Sequence, residues 1–256
     1  TVQSLTNYAT DGTTWQHVAA TFDGTNLKIY INGILDNTTA VASTAITPNT
    51  TALGIGAQSD GTTLYQGALD DVRIFNRAMT MGEIQALIGV APVTLTVSKT
   101  GAGAGTVTSD PAGISCGSDC TEAYPVSQLV TLTATPDPGS LFSGWSGACT
   151  GTGTCQVTMS AAKSVTAAIS VYRPTISGNT GVAGVTLSYT DGTAKTATSD
   201  GSGNYSFTVP YNWSGVVIPT LTGYSFVPPS TNYTNVIADQ TAQNYAPTQF
   251  SYSLTV

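Results

Sequence analysis

Charged side chains are scarce in this sequence of 256 residues, where Asp, Glu, Lys and Arg together make up 8%, against about 25% in an ordinary soluble domain. The 14 acidic residues outnumber the 7 basic ones. A nucleic-acid partner needs a basic face that neutralises phosphates, and the sequence holds no cluster of Lys or Arg. This composition excludes a nucleic-acid partner and disfavours binding to anionic membrane surfaces.

Long apolar runs are also absent from the sequence. No run approaches about 20 residues, the length of a membrane span, so we expect no membrane insertion in this chain. Hydrophobic residues still reach 41%, which is enough for packed cores rather than a disordered stalk. The even number of cysteines and the low Lys content favour an extracellular or cell-surface location.

Helical periodicity is rare, and short alternating stretches bounded by Gly, Asp, Asn and Pro recur instead. Such stretches predict β-strands. We therefore predict an all-β chain of three tandem β-sandwich-type modules, with one short helix near the end of the first. The predicted segments are a first at residues 1–90, a second at 91–170 and a third at 171–248, followed by a strand at 249–256 that begins a further module or serves assembly.

Two tight turns organise the first segment. Alternating stretches at 17–22 and 27–31 flank Asp23-Gly24, and Asn32-Gly33 follows directly. Asp-Gly and Asn-Gly tolerate the positive φ angles of hairpin turns. The pattern predicts two hairpins in succession, which make a meander.

One helix is predicted after residue 79. Thr80 and Glu83 have capping-box spacing, in which each residue satisfies a free backbone amide of the other. Ile84, Leu87 and Ile88 then form one apolar stripe, which we expect to face the core.

Several motifs of the first segment resemble a known family. Stretches at 15–19, 22–24, 30–33 and 69–78 resemble the signature of laminin-G-like, concanavalin A-like jelly-roll domains. The resemblance implies the C-terminal half of such a sandwich over roughly residues 1–90, because the strands that the family has before the Trp-x-His-Val stretch are missing here. It also implies glycans or surface and matrix proteins as partners.

The other two segments carry resemblances of their own. Gly144-Trp145-Ser146-Gly147, with a cysteine-bounded loop and a closing strand near residue 169, resembles bacterial modules related to the internalin B repeat. Stretches at 175–178, 198–209 and 223–229 resemble the transthyretin-like sandwich of carboxypeptidase-regulatory repeats. Cross-linked relatives of that sandwich carry a Lys in the first strand, where this sequence has Ile176, so we expect no internal isopeptide bond.

The four cysteines admit three disulfide pairings. We favour the local one, Cys116 with Cys120 and Cys149 with Cys155. A zinc site is disfavoured because the spacings differ from Cys-x-x-Cys and no His lies nearby.

Catalytic groups are few. His17 is the single histidine. No sequence motif pairs it with a nucleophile or a carboxylate, as a catalytic histidine requires, and its position in a predicted strand indicates a scaffold role. Glu occurs at Glu83 and Glu122 alone, and the Glu-x-Asp-x-x-Glu pattern of jelly-roll glucanases is absent. We expect no enzymatic activity.

Asp70 and Asp71 are the candidate metal ligands. Calcium prefers carboxylate and carbonyl oxygens, and the jelly-roll resemblance implies a structural Ca²⁺ with an Asp in the matching strand, which Asp71 fits best. The competing interpretation is a solvated acidic pair.

Aromatic rings are candidate platforms for sugars, since a flat apolar face suits a pyranose ring. Trp15, Tyr65, Tyr211 and Trp213 are the candidates. The alternative for each is core filling, which we predict outright for Trp145.

Glycan attachment needs Asn-X-Ser/Thr. The sequence offers five such triplets as candidate glycosylation sites, at Asn37, Asn49, Asn204, Asn212 and Asn232.

Together these patterns predict an extracellular structural or adhesive protein, a modular β-domain stalk that binds carbohydrate or protein through its laminin-G-like domain. A first alternative is a self-assembling filament subunit, in which the strand at 249–256 completes a neighbour's sheet by β-augmentation. A second alternative is the accessory region of a secreted glycoside hydrolase.

Overall fold

Short strands are the main secondary structure of the computed structural model, which describes residues 2–6, 12–42, 50, 53–57, 61 and 64–251. One short helix lies within these residues. The predicted fold class, all-β with tandem β-sandwich-type modules and one short helix, is confirmed. Asn49 and residues 252–256, for which the sequence predicts a glycan site and part of a strand, lie outside the described residues.

The first segment contains an antiparallel meander of β1 (Val18–Phe22), β2 (Asn26–Ile31) and β3 (Ile34–Ala40). The Asp23 carboxylate closes the first turn by accepting hydrogen bonds from the backbone amides of Thr25 and Asn26, at 3.0 and 2.8 Å. At the second turn Asn32 has a left-handed φ of 50°, a conformation that Asn tolerates better than most residues. Both predicted hairpins are confirmed.

The helix α1 (Met81–Leu87) begins at the predicted capping box. The Glu83 amide donates to Thr80 Oγ1 at 3.3 Å, and the Thr80 amide donates to the Glu83 carboxylate at 2.8 Å. These two bonds satisfy donors that the first turn of a helix otherwise leaves free. At seven residues, this helix of the described part of the chain falls far short of the about 20 needed to cross a bilayer.

The buried face of α1 differs from the predicted stripe. Ile84 is fully buried, but Leu87 is 37% exposed and Gln85 is 2% exposed. The prediction was wrong at Leu87 because the helix turns Gln85 inwards, where its carboxamide hydrogen-bonds to backbone groups of Gly33 and Val126. A fully hydrogen-bonded amide can be buried at little cost.

The second segment forms two sheets, with strand orders β6-β4-β10-β8 and β5-β7-β9. Alternate residues of each long strand are buried, as Leu95 and Val97 are in β4, which is the period-2 pattern of a sheet with one face on a core. The strands are β4 (Val93–Thr100), β5 (Gly105–Asp110), β6 (Thr121–Tyr124), β7 (Leu129–Pro136), β8 (Ser140–Gly147), β9 (Cys155–Thr158) and β10 (Lys163–Val171).

The third segment encloses an aromatic core. Its strands are β11 (Thr175–Asn179), β12 (Thr186–Thr190), β13 (Ala194–Thr198), β14 (Asn204–Thr208), β15 (Trp213–Thr220), β16 (Tyr224–Val227), β17 (Thr231–Val236) and β18 (Ala246–Gln249). They pair in the orders β11-β14, β13-β12-β15-β17 and β16-β18. Within the core the rings of Tyr189 and Phe207 stack, with centroids 4.2 Å apart and planes inclined by 20°, so that each ring buries an apolar face of the other.

The strand predicted at 249–256 can be compared with the structure at residues 249–251, which are described. Gln249 belongs to β18 and pairs with Tyr224, and the Phe250 amide donates to the Gly223 carbonyl at 2.8 Å. The predicted segment at 249–256 therefore starts inside the sheet of the third segment rather than as an unpaired strand.

The chain divides into two compact units. One comprises residues 1–96, 121–131 and 156–164, and the other comprises residues 97–120, 132–155 and 165–256. The second predicted segment is shared between them, so the boundaries predicted at residues 90, 170 and 248 stay a prediction.

Candidate functional site

Trp15 lies at the surface just before β1, with 64% of the residue exposed. Asn32 holds the backbone that follows it. The Asn32 Oδ1 accepts from the His17 amide at 3.0 Å, its Nδ2 donates to Gln16 Oε1 at 2.7 Å, and its amide donates to the His17 carbonyl at 2.8 Å. A fixed backbone beside an exposed indole suits the predicted sugar platform.

Tyr65 is the second exposed candidate, at 57%. Its amide donates to the Gly56 carbonyl at 2.8 Å. Its ring lies over Gly67, where an added Cβ would stand 2.8 Å from the ring atom Cε1. Gly67 thus permits the ring to lie against the backbone, and any larger residue would displace it.

Trp213, which was predicted as a candidate sugar platform, is buried instead. The residue is 7% exposed, and its indole contacts Tyr189 edge-on and tilts against Tyr233. Its Nε1 donates to the Thr190 carbonyl at 2.7 Å. Because both ring contacts and the polar group are used inside the core, Trp213 is a core residue and no exposed platform.

Tyr211 is half-buried and packs against Gly139. Its ring centroid lies 6.5 Å from that of Tyr172. The two candidates from this stretch of sequence therefore have different environments, and neither is as open as Trp15.

Asp70 and Asp71, the predicted calcium ligands, lie next to each other at the surface. The Asp71 amide donates to Asp70 Oδ1 at 2.8 Å, and the Asp71 carboxylate, 85% exposed, lies 3.9 Å from Arg73. Residues 72–75 form no strand, and no group of three His, Cys, Asp or Glu side chains converges within the described ranges. Calcium takes six to eight oxygen ligands. The calcium assignment stays a prediction that these contacts do not support.

Glu83 has a structural environment. Its carboxylate accepts from both terminal nitrogens of Arg77, at 2.9 and 2.6 Å, besides the capping contacts. The Arg77 guanidinium first, and the Thr80 amide second, lower the pKa of Glu83 to about 2. A carboxyl that stays ionised at neutral pH is unsuited to act as the general acid of a glycosidase.

His17 is half-buried, and its Nδ1 is buried without a hydrogen-bond partner within the described part of the chain. A catalytic imidazole needs an orienting partner on one nitrogen and a substrate on the other. The scaffold role of His17 stays a prediction.

The cysteines form the two predicted local disulfides. Cys116 and Cys120 are joined with Cα atoms 4.2 Å apart, and Cys149 and Cys155 with Cα atoms 5.7 Å apart. The second loop covers Trp145, whose Nε1 donates to the Gly153 carbonyl at 2.7 Å. Trp145 is buried as predicted.

The described candidate glycan acceptors differ in accessibility. Asn204, Asn212 and Asn232 are exposed. Asn37 is half-buried, and its Nδ2, the atom that a glycan would modify, donates to the Gln3 carbonyl at 2.7 Å. The exposed three are the more accessible acceptors, and glycosylation stays a prediction for all of them.

A groove that sequence analysis missed opens in the third segment. Its volume is about 940 Å³, and Asp191, Lys195 and Val216 are among the residues that line it. The Asp191 side chain is 3% exposed and lies 3.5 Å from Arg173 and 3.3 Å from Lys195. The latter contact is an ion pair without hydrogen-bond geometry, since Oδ1 has no hydrogen-bond partner. The rarity of charge in this sequence was the signal that could have singled out these residues.

Two family models match successive parts of the chain. Residues 2–85 match the concanavalin A-like lectin/glucanases superfamily, in its laminin-G form, and residues 94–170 match the divergent InlB B-repeat domain. The chain contains a laminin-G-like domain and a B-repeat-like domain. The first two predicted resemblances are confirmed, and the transthyretin-like resemblance of the third segment stays a prediction. No curated protein sequence matches the chain.

Solved bacterial structures show weak similarity. The Bacillus anthracis TIE protein aligns with a TM-score of 0.42 and 10% identity over 62% of this chain, which spans 34% of that protein's chain. The minor pilin GBS52 of Streptococcus agalactiae aligns with a TM-score of 0.27 and 9% identity, over 64% of this chain and 99% of the pilin. The shaft pilin SpaA of Lactobacillus rhamnosus GG aligns with a TM-score of 0.25 and 13% identity, over 62% of this chain and 100% of the pilin.

Proposed function

We propose that the chain is a non-catalytic part of an extracellular bacterial surface protein, which spaces out β-domains and binds glycans through its laminin-G-like domain. The observation that carries the proposal is the succession of a laminin-G-like and a B-repeat-like domain in one chain. The matched description names lectins and glucanases together, so the absence of catalysis is part of the proposal.

The two disulfides support the extracellular location. Disulfides persist in oxidising compartments and are rare in reducing ones. Both close short surface loops of the B-repeat-like domain, where they stabilise a small β-domain.

Two exposed rings support glycan binding. Trp15 and Tyr65 present more than half of their surface to solvent within the range matched by the laminin-G-like model. Exposed aromatic residues with an apolar face and a polar edge are enriched at binding surfaces.

Binding of the full chain to a glycan array, with immobilised matrix proteins on the same slide, tests this function. The proposal expects retention on a defined class of glycan. Binding to matrix proteins without any glycan signal would replace glycans by proteins as the ligand, and no retention on either would contradict the adhesive role.

The two alternative functions stay predictions. Strand donation from residues 249–256 is opposed at its start, because Gln249 and Phe250 pair within the chain's own third segment. An accessory role in a secreted glycoside hydrolase is consistent with the same domains.

A further inference from the structure

Three residues, Tyr172, Arg173 and Pro174, link strand β10 of the B-repeat-like domain to strand β11 of the third segment. Short connections of this kind usually leave two domains free to reorient, unless specific contacts hold them. Here each of the three linker residues contacts the third segment, and Tyr172 also contacts the B-repeat-like domain. All the residues involved belong to the second compact unit.

Tyr172 contacts both neighbours of the linker. Its amide donates to the Gly139 carbonyl, beside β8, at 2.8 Å. Its hydroxyl donates to Asp239 Oδ1 in the third segment at 3.1 Å, and the same oxygen accepts from the Thr175 amide at 2.8 Å. Tyr172 thus hydrogen-bonds both to the turn that precedes β8 and to Asp239 in the third segment.

Tyr211 reaches back from the third segment to the same turn. Gly139 has a φ of 81°, and a Cβ added there would stand 2.8 Å from the Tyr211 ring. The absence of a side chain at Gly139 therefore lets the ring of Tyr211 lie on the turn, beside Tyr172.

Arg173 and Pro174 are fixed to the third segment. Arg173 Nη2 lies 3.5 Å from Asp191 Oδ2, a side chain that is 3% exposed. Pro174 is buried, and its carbonyl accepts from the Val209 amide at 2.9 Å. The fixed φ of proline also removes one rotatable bond from the linker.

We propose that residues 172–174, clamped by Gly139, Asp191, Tyr211 and Asp239, form a fixed joint, so that residues 140–147 and 165–171 turn together with the sandwich at 175–249 as one body. The joint presents the third segment in one orientation and lets tension pass along the backbone without first straightening a loose linker. This inference goes beyond the proposed function, since it holds whatever ligand the laminin-G-like domain binds.

Backbone ¹⁵N relaxation of the full chain tests the joint. In the unaltered chain, amides at 140–147, 165–171 and 175–249 are expected to report one rotational correlation time. The double substitution Y172A/Y211A removes both aromatic clamps and is expected to give the third segment a shorter correlation time than residues 140–147. Insertion of Gly-Ser-Gly-Ser between Arg173 and Pro174 is expected to do the same without removing a core contact.

The double substitution Y65A/F75A is the matched control, since it removes two exposed aromatic residues of the first segment, far from the linker in sequence. It is expected to leave the single correlation time unchanged. Different correlation times for residues 140–147 and 175–249 of the unaltered chain would overturn the proposal, and so would equal correlation times for these two ranges in the insertion variant. Preserved chemical shifts of the core residues Phe207 and Val217 show that a variant remains folded.

Discussion

The side chain of Gln85 and the backbone of Val126 exchange two hydrogen bonds. The Gln85 Nε2 donates to the Val126 carbonyl at 2.7 Å, and the Val126 amide donates to Gln85 Oε1 at 2.9 Å. The same Nε2 also donates to the Gly33 carbonyl at 3.1 Å. The buried carboxamide thus donates to and accepts from the same backbone residue, as a residue of a neighbouring antiparallel strand does. It connects helix α1 with a turn 41 residues later in the chain and with the β2–β3 hairpin.

Substitution of Gln85 by Leu is expected to lower the free energy of unfolding of the first compact unit by about 2–4 kcal/mol, because three hydrogen bonds are lost and partly buried backbone groups remain unpaired. Chemical denaturation measures the change. The exposed Gln156→Leu is the matched control and is expected to shift stability by less than about 0.5 kcal/mol. Equal stability of the two variants would show that the Gln85 contacts contribute nothing.

The carboxyl of Glu83 is expected to titrate near pH 2 in the folded chain, against an ordinary value of 4.5. Its folded pKa is lowered, so its stabilising contacts are present above pH 4.5 and are lost as the pH falls towards 2. Carbon-detected NMR of the side-chain carboxyl measures the midpoint. Arg77→Gln is expected to raise that midpoint towards 4.5, because Arg77 is the main cause of the shift.

Arg73→Gln is the control for this titration. Arg73 is an exposed arginine whose ion pair is with Asp71 rather than with Glu83, at a distance of 3.9 Å. A midpoint of Glu83 that moved as far with Arg73→Gln as with Arg77→Gln would contradict the assignment to a specific ion pair.

Removal of the Cys149–Cys155 disulfide is expected to open the loop that covers Trp145. In the C149S/C155S variant the indole N–H of Trp145 loses its fixed partner at Gly153, so its hydrogen exchange accelerates. Closing so short a loop constrains only a few residues, so the stability loss is about 2 kcal/mol. The Trp213 indole, bound to Thr190, is the internal reference, and acceleration of both indoles alike would indicate general unfolding instead.

Truncation of Trp213 is expected to destabilise the chain far more than truncation of Trp15. Trp213→Ala removes a ring that packs on Tyr189 and Tyr233 and is expected to lower the unfolding free energy of the third segment by about 3–5 kcal/mol. Trp15→Ala is expected to change stability by less than about 0.5 kcal/mol, since the residue is exposed. Calorimetry of both variants checks this, and comparable losses would refute the placement of the two rings.

The features that could be predicted from the sequence depend on neighbours within a few residues. Asp23 and Asn32 determine the hairpins through their own turns, and Thr80 determines the helix start through Glu83. The local disulfides follow the same logic. Burial of Gln85 in place of Leu87 could not be predicted, because its partner at Val126 is distant in the chain.

Two further features escaped the sequence analysis for the same reason. Trp213 follows a proline and a turn, as an exposed ring also could, and its burial depends on Tyr189 and Tyr233 from other strands. The ion pair of Arg173 with Asp191 joins a linker to a hairpin turn, and no local pattern relates these two residues.

The most direct test of the proposed adhesive function is calorimetric titration of the glycan that the array retains best against the unaltered chain and its W15A and F250A variants. Loss of a stacked ring is expected to weaken binding by about tenfold or more in W15A, equivalent to about 1.4 kcal/mol. Phe250 is an exposed aromatic residue directly after β18, outside the laminin-G-like domain, so F250A is expected to bind as tightly as the unaltered chain. Equal affinity of all three proteins would contradict a glycan site at Trp15.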